Sequence, residues 1–214
     1  MRSKLFTLVA TLALAPLAHA ATYNFSFTGP SVSGSVDMTY GTATDARYPQ
    51  AIEITGASGT FSDANLGISN TAITGLVPIT HSTPASDNHL APADFSRFPV
   101  ATGTQYGFLS FSNLFYPDGS PQTATTYPFH GGIFDIYGLL LTIGGGRVVD
   151  IWSNGVLPMT TFPDYAVAVA TSASSLDYVS GGVTPTPEPG TLCLLASGTL
   201  GAAVQLRRRL RPSR

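Results

Sequence analysis

The stretch IFDIYGLLLTIGGGRVVDIWSNG, residues 133–155, decides the reading of the fold. Residues 133–143 and 147–152 are rich in Ile, Leu, Val and aromatic side chains. Between them Gly144, Gly145 and Gly146 supply the positive-φ backbone that a tight hairpin demands. In the second arm Val148, Asp150 and Trp152 share one face and Val149 and Ile151 the other, which is the alternation of a strand and not the period of a helix. The glycine run cradles no phosphate, because the β-prone arm after it offers no helix N-terminus. Ser153, Asn154 and Gly155 make the next turn.

The same texture extends in both directions. Tyr23, Phe25 and Phe27 alternate with Asn24 and Ser26 until Gly29 and Pro30 stop the run, and residues 33–40 place Val36, Met38 and Tyr40 on one side. Residues 51–55 and 60–62 read as a hairpin around a turn at residues 56–59, and residues 72–80 as a strand whose Pro78 confines it to an edge or a bulge. Residues 81–100, with Pro84, Pro92 and Pro99, form the longest loop, while residues 106–111 and 165–171 are further strands. Eight to ten strands at roughly ten-residue spacing predict an all-β fold, an antiparallel β-sandwich or jelly-roll-like domain packed on one side.

Charge separates the chain into three regions. Arg2 and Lys4 lie at one end and Arg207, Arg208, Arg209, Arg211 and Arg214 at the other, whereas the middle sets Arg47, Arg97 and Arg147 against all twelve acids, a net of −9. An acidic middle excludes nucleic acid as a partner, since phosphate binding needs clustered cations. The single cysteine, Cys193, has no partner for an intramolecular disulfide, so stability rests on sheet packing.

Residues 1–20 form a signal peptide, with a basic start, an apolar run over residues 5–17 and the cleavage site Ala18-His19-Ala20, so that the exported chain begins at Ala21. This makes signal peptidase and the Sec machinery its first partners. Residues 191–206 carry no charge and are followed by Arg207, Arg208, Arg209 and Arg211. At 1.5 Å per residue such a helix is about 24 Å long, enough for a single transmembrane helix with local thinning, and the arginines act as a cytoplasmic stop-transfer signal. Ahead of it the prolines of residues 184–190 hold an extended backbone. The organisation is therefore a signal peptide (1–20), an exported β domain (21–180), a Gly/Pro-rich linker (181–190), the apolar helix (191–206) and a basic tail (207–214).

Pro187, Glu188 and Pro189, then Gly190-Thr191-Leu192, an apolar segment with Gly198 and Gly201, and the arginine cluster resemble the PEP-CTERM sorting signal of Gram-negative bacteria. The resemblance implies processing by an exosortase: membrane anchoring first, then removal of the tail and delivery to the cell surface or medium. It also implies a setting of extracellular polysaccharide, biofilm or floc. The segment from residue 133 to 155 is similar in texture to exported domains that precede this signal.

Chemistry-bearing residues are sparse. His81, Asp87 and His89 are the one local cluster of metal-ligand types, and their spacing matches no compact metal motif. No G-x-S-x-G elbow is present, and Glu53 is the sole glutamate outside the sorting motif. Asp37, Asp63, Asp135 and Asp150 read as solvent-facing strand or turn positions. Hence no catalytic residue, cofactor or metal is expected. Tyr116, Tyr127, Phe129 and Trp152 are the candidates for stacking on a sugar, with extracellular polysaccharide as the partner. The sequence thus predicts a non-catalytic exported envelope or matrix protein, with a carbohydrate-binding module as the alternative.

Overall fold

The computed structural model describes residues 21–80, 89–100, 107–171 and 177–186. Ala18 and Ala20, Pro187 to Pro189, the apolar segment 191–206 and the arginine cluster lie outside the described residues. So do His81 and Asp87.

Eleven strands follow one another: β1 (Ala21–Thr28), β2 (Val32–Thr44), β3 (Ile52–Asp63), β4 (Ile68–Leu76), β5 (Ser96–Pro99), β6 (Phe108–Phe111), β7 (Leu114–Phe115), β8 (Leu139–Ile143), β9 (Arg147–Gly155), β10 (Asp164–Ala170) and β11 (Asp177–Thr186). Eight of them, β1 to β4 and β8 to β11, each pair antiparallel with the next in sequence. The last pairs with the first, Phe27 opposite Pro185 and Ser26 opposite Thr186. The sheet therefore closes into an eight-stranded up-and-down barrel, and the expected sandwich is corrected. A sandwich keeps open edges on two sheets, whereas closure removes them.

An eight-stranded barrel is just wide enough for side chains to fill it or for one small ligand to fit. Phe25, Phe27, Met38, Phe61, Phe134, Leu139, Leu141, Ile151, Tyr165 and Val167 fill that interior. Phe25 meets Phe134 edge to face at 5.2 Å and Tyr165 at 5.3 Å. On the outer face of β1 and β2 the alternate positions are polar, and Asn24 Nδ2 donates to Asp37 Oδ1 at 2.7 Å and to Ser35 Oγ at 2.9 Å. Asp37 is exposed as expected.

The long connection from β4 to β8 folds back over the barrel. The β5–β6 hairpin brings Phe98, Leu109 and Phe111 onto Leu140, Val148, Ala168 and Ala170, on the outside of β8, β9 and β10. This second layer explains why Leu139, Leu140 and Leu141 are all fully buried, and it corrects the expectation of a sheet packed on one side.

Three further readings change. Residues 52–63 are one strand and not a hairpin: the chain stays paired to β2 through residues 56–59, and at Gly59 a φ of 137° and the Ser35 carbonyl oxygen lying against any added Cβ demand glycine. The strand expected over 133–143 begins at Leu139, because Asp135 turns the preceding residues. Residues 181–186, read as linker, belong to β11. Among the described residues no helix is long and apolar enough to cross a membrane, and the one helical piece is the 3-10 turn Gly144–Gly146. The expected transmembrane helix thus has no counterpart there, its segment lying outside them.

Candidate functional site

Strand direction sorts the loops between the two barrel ends. One end carries Ala21, the β2–β3 connection, the end of β4, the β9–β10 loop and Thr186. Thr186, the last described residue, therefore lies at the barrel end at which β1 begins. Asp164 ties β11 down there: its Oδ1 accepts from the Gly182 N–H at 3.1 Å and its Oδ2 from Asn154 Nδ2 at 2.7 Å. Ala21, the residue expected to be freed by signal cleavage, opens β1 opposite Tyr40.

Two of the stacking candidates come together near this end. Tyr127 Oη donates to the Asn154 carbonyl at 3.0 Å, and Trp152 Nε1 donates to Asn154 Oδ1 at 3.0 Å. Phe129 lies edge to face with Tyr127 at 5.1 Å. Their polar handles are thereby engaged within the protein, and both rings are half-buried. Tyr116 is placed elsewhere: it is completely buried, beside Tyr48, Ala51 and Leu114, and its hydroxyl donates to Asp135 Oδ2 at 2.9 Å. A tyrosine so enclosed offers no face to a sugar.

Asp135 and Asp150 are the polar residues the sequence misplaced. Asp135 is 1% exposed and accepts from the backbone N–H groups of Tyr137 at 2.8 Å and Gly138 at 3.0 Å, and from Ser112 Oγ and Tyr116 Oη. Burial pushes its carboxyl above the usual range, and these four donors pull it back. Tyr116 is raised too, by burial first and by Asp135 next. Asp150 sits on the outer face of β9 between Leu140 and Ala168, 3% exposed under the β5–β6 layer. Its Oδ1 has no hydrogen-bond partner among the described residues. Burial, then repulsion from Asp135, raises its carboxyl well above the ordinary value. Neither burial was legible, since the covering layer comes from an insertion whose docking no local pattern encodes. Asp63 is a buried turn residue, its Oδ1 accepting from the Asn65 and Leu66 N–H groups.

The barrel wall itself holds a cleft of about 620 Å³. Strands β3 and β4 pair from Gly59 and Ile73 toward their connecting turn, and below that point they part. Gly75, at φ 153°, lies at the bulge in β4, and Gly59, at φ 137°, is the last β3 residue paired to β4. Residues 55–58 and 74–76 then face each other without pairing, and Leu114 of β7 bridges to Glu53 further down. Asn113 fastens the floor, its Oδ1 accepting from the Leu140 N–H at 2.9 Å, its Nδ2 donating to the Val77 carbonyl at 2.9 Å and its own carbonyl accepting from the Ile54 N–H at 3.0 Å. Glu53 and Asp94 line the opening, with Leu76, Val77 and Ile79 as the apolar part.

No three His, Cys, Asp or Glu side chains come together as a metal site among the described residues. His89 and His130 are exposed. A family model described as the PEP-CTERM protein-sorting motif matches residues 185–209, and its first two residues are the last two of β11. No curated protein and no solved structure matches the chain.

Proposed function

We propose that this chain, which carries a PEP-CTERM sorting motif and so is sorted by an exosortase, serves as a non-catalytic structural cargo of the cell envelope or extracellular matrix. The observation that carries this is continuity: the motif starts inside the strand that closes the barrel, so the barrel is delivered as one unit. A packed interior supports a structural role, since the barrel holds Phe, Leu, Val and Ile side chains where a ligand-carrying barrel keeps a cavity. Signal peptidase and Sec act before the exosortase in this reading, and the final location is the cell surface or the medium. The carbohydrate alternative draws less support, because Tyr116 is enclosed and Tyr127 and Trp152 are both tied to Asn154.

The test is Pro187→Ala combined with Glu188→Ala, followed by fractionation and immunoblotting. The variant is expected to cross the membrane and accumulate there at unprocessed mass. Normal processing in the double variant would overturn the exosortase reading, and a soluble enzymatic activity found in the released wild-type barrel would overturn the structural one.

A further inference from the structure

The β9–β10 loop, residues 156–163, has the sequence VLPMTTFP and contains no charge. Six large apolar side chains are exposed among the described residues, and three belong to these eight positions: Val156 at 38%, Met159 at 105% and Phe162 at 78%. The loop is held in shape despite this exposure. Thr160 donates from its N–H to the Leu157 carbonyl at 3.0 Å, its hydroxyl bonds the same carbonyl at 2.9 Å, and the Val156 N–H donates to the His130 carbonyl at 2.8 Å. Met159 takes φ 71°, which turns the chain at the tip. Pro158 and Pro163 carry no N–H, which lowers the cost of taking this backbone out of water.

Placement supplies the partner. The loop lies at the barrel end from which Thr186 leaves, and the uncharged segment begins at Thr191, five residues on. A fully extended chain covers at most about 3.6 Å per residue, so Thr186 stands no more than about 18 Å from the start of the apolar segment, which keeps this end beside the bilayer while the tail is attached. Apolar side chains presented on an ordered, uncharged loop at that distance match the headgroup and upper acyl region, where interfacial elements bury roughly 5–10 Å. Tyr23, 36% exposed near the start of β1, lies at the same end.

We infer that residues 156–163 form a membrane-contacting loop that rests Val156, Met159 and Phe162 in the lipid interface. The inference rests on the membrane-anchored stage of the sorting reading. The net of −9 on the exported middle opposes anionic headgroups, so apolar insertion and not charge attraction drives the contact, and added salt leaves it intact.

The experiment uses the full unprocessed chain in phosphatidylcholine vesicles. A polarity-sensitive fluorophore is placed at Met159→Cys, in a Cys193→Ala background, with Leu66→Cys as the control. Leu66 is also exposed, at 43%, but sits in the β3–β4 turn at the opposite end. The expected result is a blue shift, together with loss of emission on introducing brominated lipid, at Met159→Cys and neither at Leu66→Cys. Equal, unquenched emission at both sites overturns the inference. So does a blue shift that follows protein concentration and ignores lipid, which would mark a contact between copies. Failure of the anchoring premise is distinguishable, because the chain would then not float with the vesicles at all. A second variant, Phe162→Ser with the Met159→Cys label kept, is expected to diminish the quenching.

Discussion

Replacing Asp150 by valine should stabilise the protein at neutral pH and remove much of its pH dependence. The carboxyl is raised in the fold by burial and by Asp135, so the native state holds its proton more tightly than the unfolded chain does. A group raised in this way leaves stability intact below the unfolded carboxylate range, about pH 4, and takes stability away as pH climbs through the folded value. Asp135 is raised in the same direction, so the wild-type curve falls on the alkaline side of pH 4 through both groups. At Asp150 the fold supplies no partner to Oδ1, and such an orphaned buried oxygen costs about 1–3 kcal/mol. Its neighbours across the strands are Leu140 and Ala168, which suits a branched apolar side chain. Asp150→Val is therefore expected to gain about 1–3 kcal/mol at pH 8, equivalent to a rise in Tm of roughly 2–12 °C for a domain of this size. The gain should shrink toward pH 4, where the wild-type carboxyl is already neutral. Thermal unfolding of the processed protein from pH 4 to pH 8 measures it, with Trp152, the one tryptophan, reporting two residues away. A variant less stable than wild type at pH 8 refutes the reasoning, because it would mean the carboxylate is worth more than the apolar contact that replaces it.

N-terminal sequencing of the exported form should begin at Ala21, and a retained leader would remove the basis for export. Gly59→Ala drives a Cβ onto the Ser35 carbonyl oxygen at a φ reserved for glycine, and urea unfolding should show a loss of several kcal/mol, at least the roughly 1–3 kcal/mol of such backbone strain. Wild-type stability in that variant would mean that β2 and β3 move apart at Ser35 without cost. Ser213→Cys in a Cys193→Ala background should resist a membrane-impermeant thiol reagent in intact cells, because moving several arginines through the bilayer costs about 2.5–3.5 kcal/mol each. Labelling from outside would reverse the topology.

What the sequence revealed and what it concealed divide along the range of the interaction. Three glycines between two β-prone arms named the β8–β9 hairpin, and the alternation of Val148 to Trp152 assigned its faces correctly, with Val149 and Ile151 inside the barrel. Tyr23, Phe25 and Phe27 marked β1, and the terminal motif was readable because its parts are contiguous. Barrel closure was not readable. An alternating strand serves a sandwich and a barrel equally, and the deciding contact joins Ser26 to Thr186 across nearly the whole domain. The burial of Asp150 and Tyr116 was concealed for the same reason, since the β5–β6 layer from the insertion between β4 and β8 covers Asp150, and Tyr116, within that insertion, packs against Tyr48 and Ala51 of the β2–β3 connection. Gly59 misled in another way: a glycine inside one strand looks, in sequence, like a glycine that separates two.

The seam orders the events of export. Every barrel pairing except one joins strands that are neighbours around the meander, and the exception is β1 with β11, which unites the strand beginning at Ala21 with the strand ending at Thr186. The barrel stays open until the last strand is in place, and an open sheet exposes two unpaired edges that invite association with other chains. The matched sorting motif begins within β11, at its last two residues, so the strand that closes the seam and the start of the motif are one piece of chain. Position also limits the cut. Removing Thr184 to Thr186 would strip the partners of Ser26, Phe27 and Thr28 and reopen the ring, whereas a cut after Thr186 leaves every strand pair of the described barrel in place. A tail removed at or beyond Pro187 therefore releases a closed barrel with no edge unpaired at the seam, so processing behind the seam leaves no edge there for another chain to pair with.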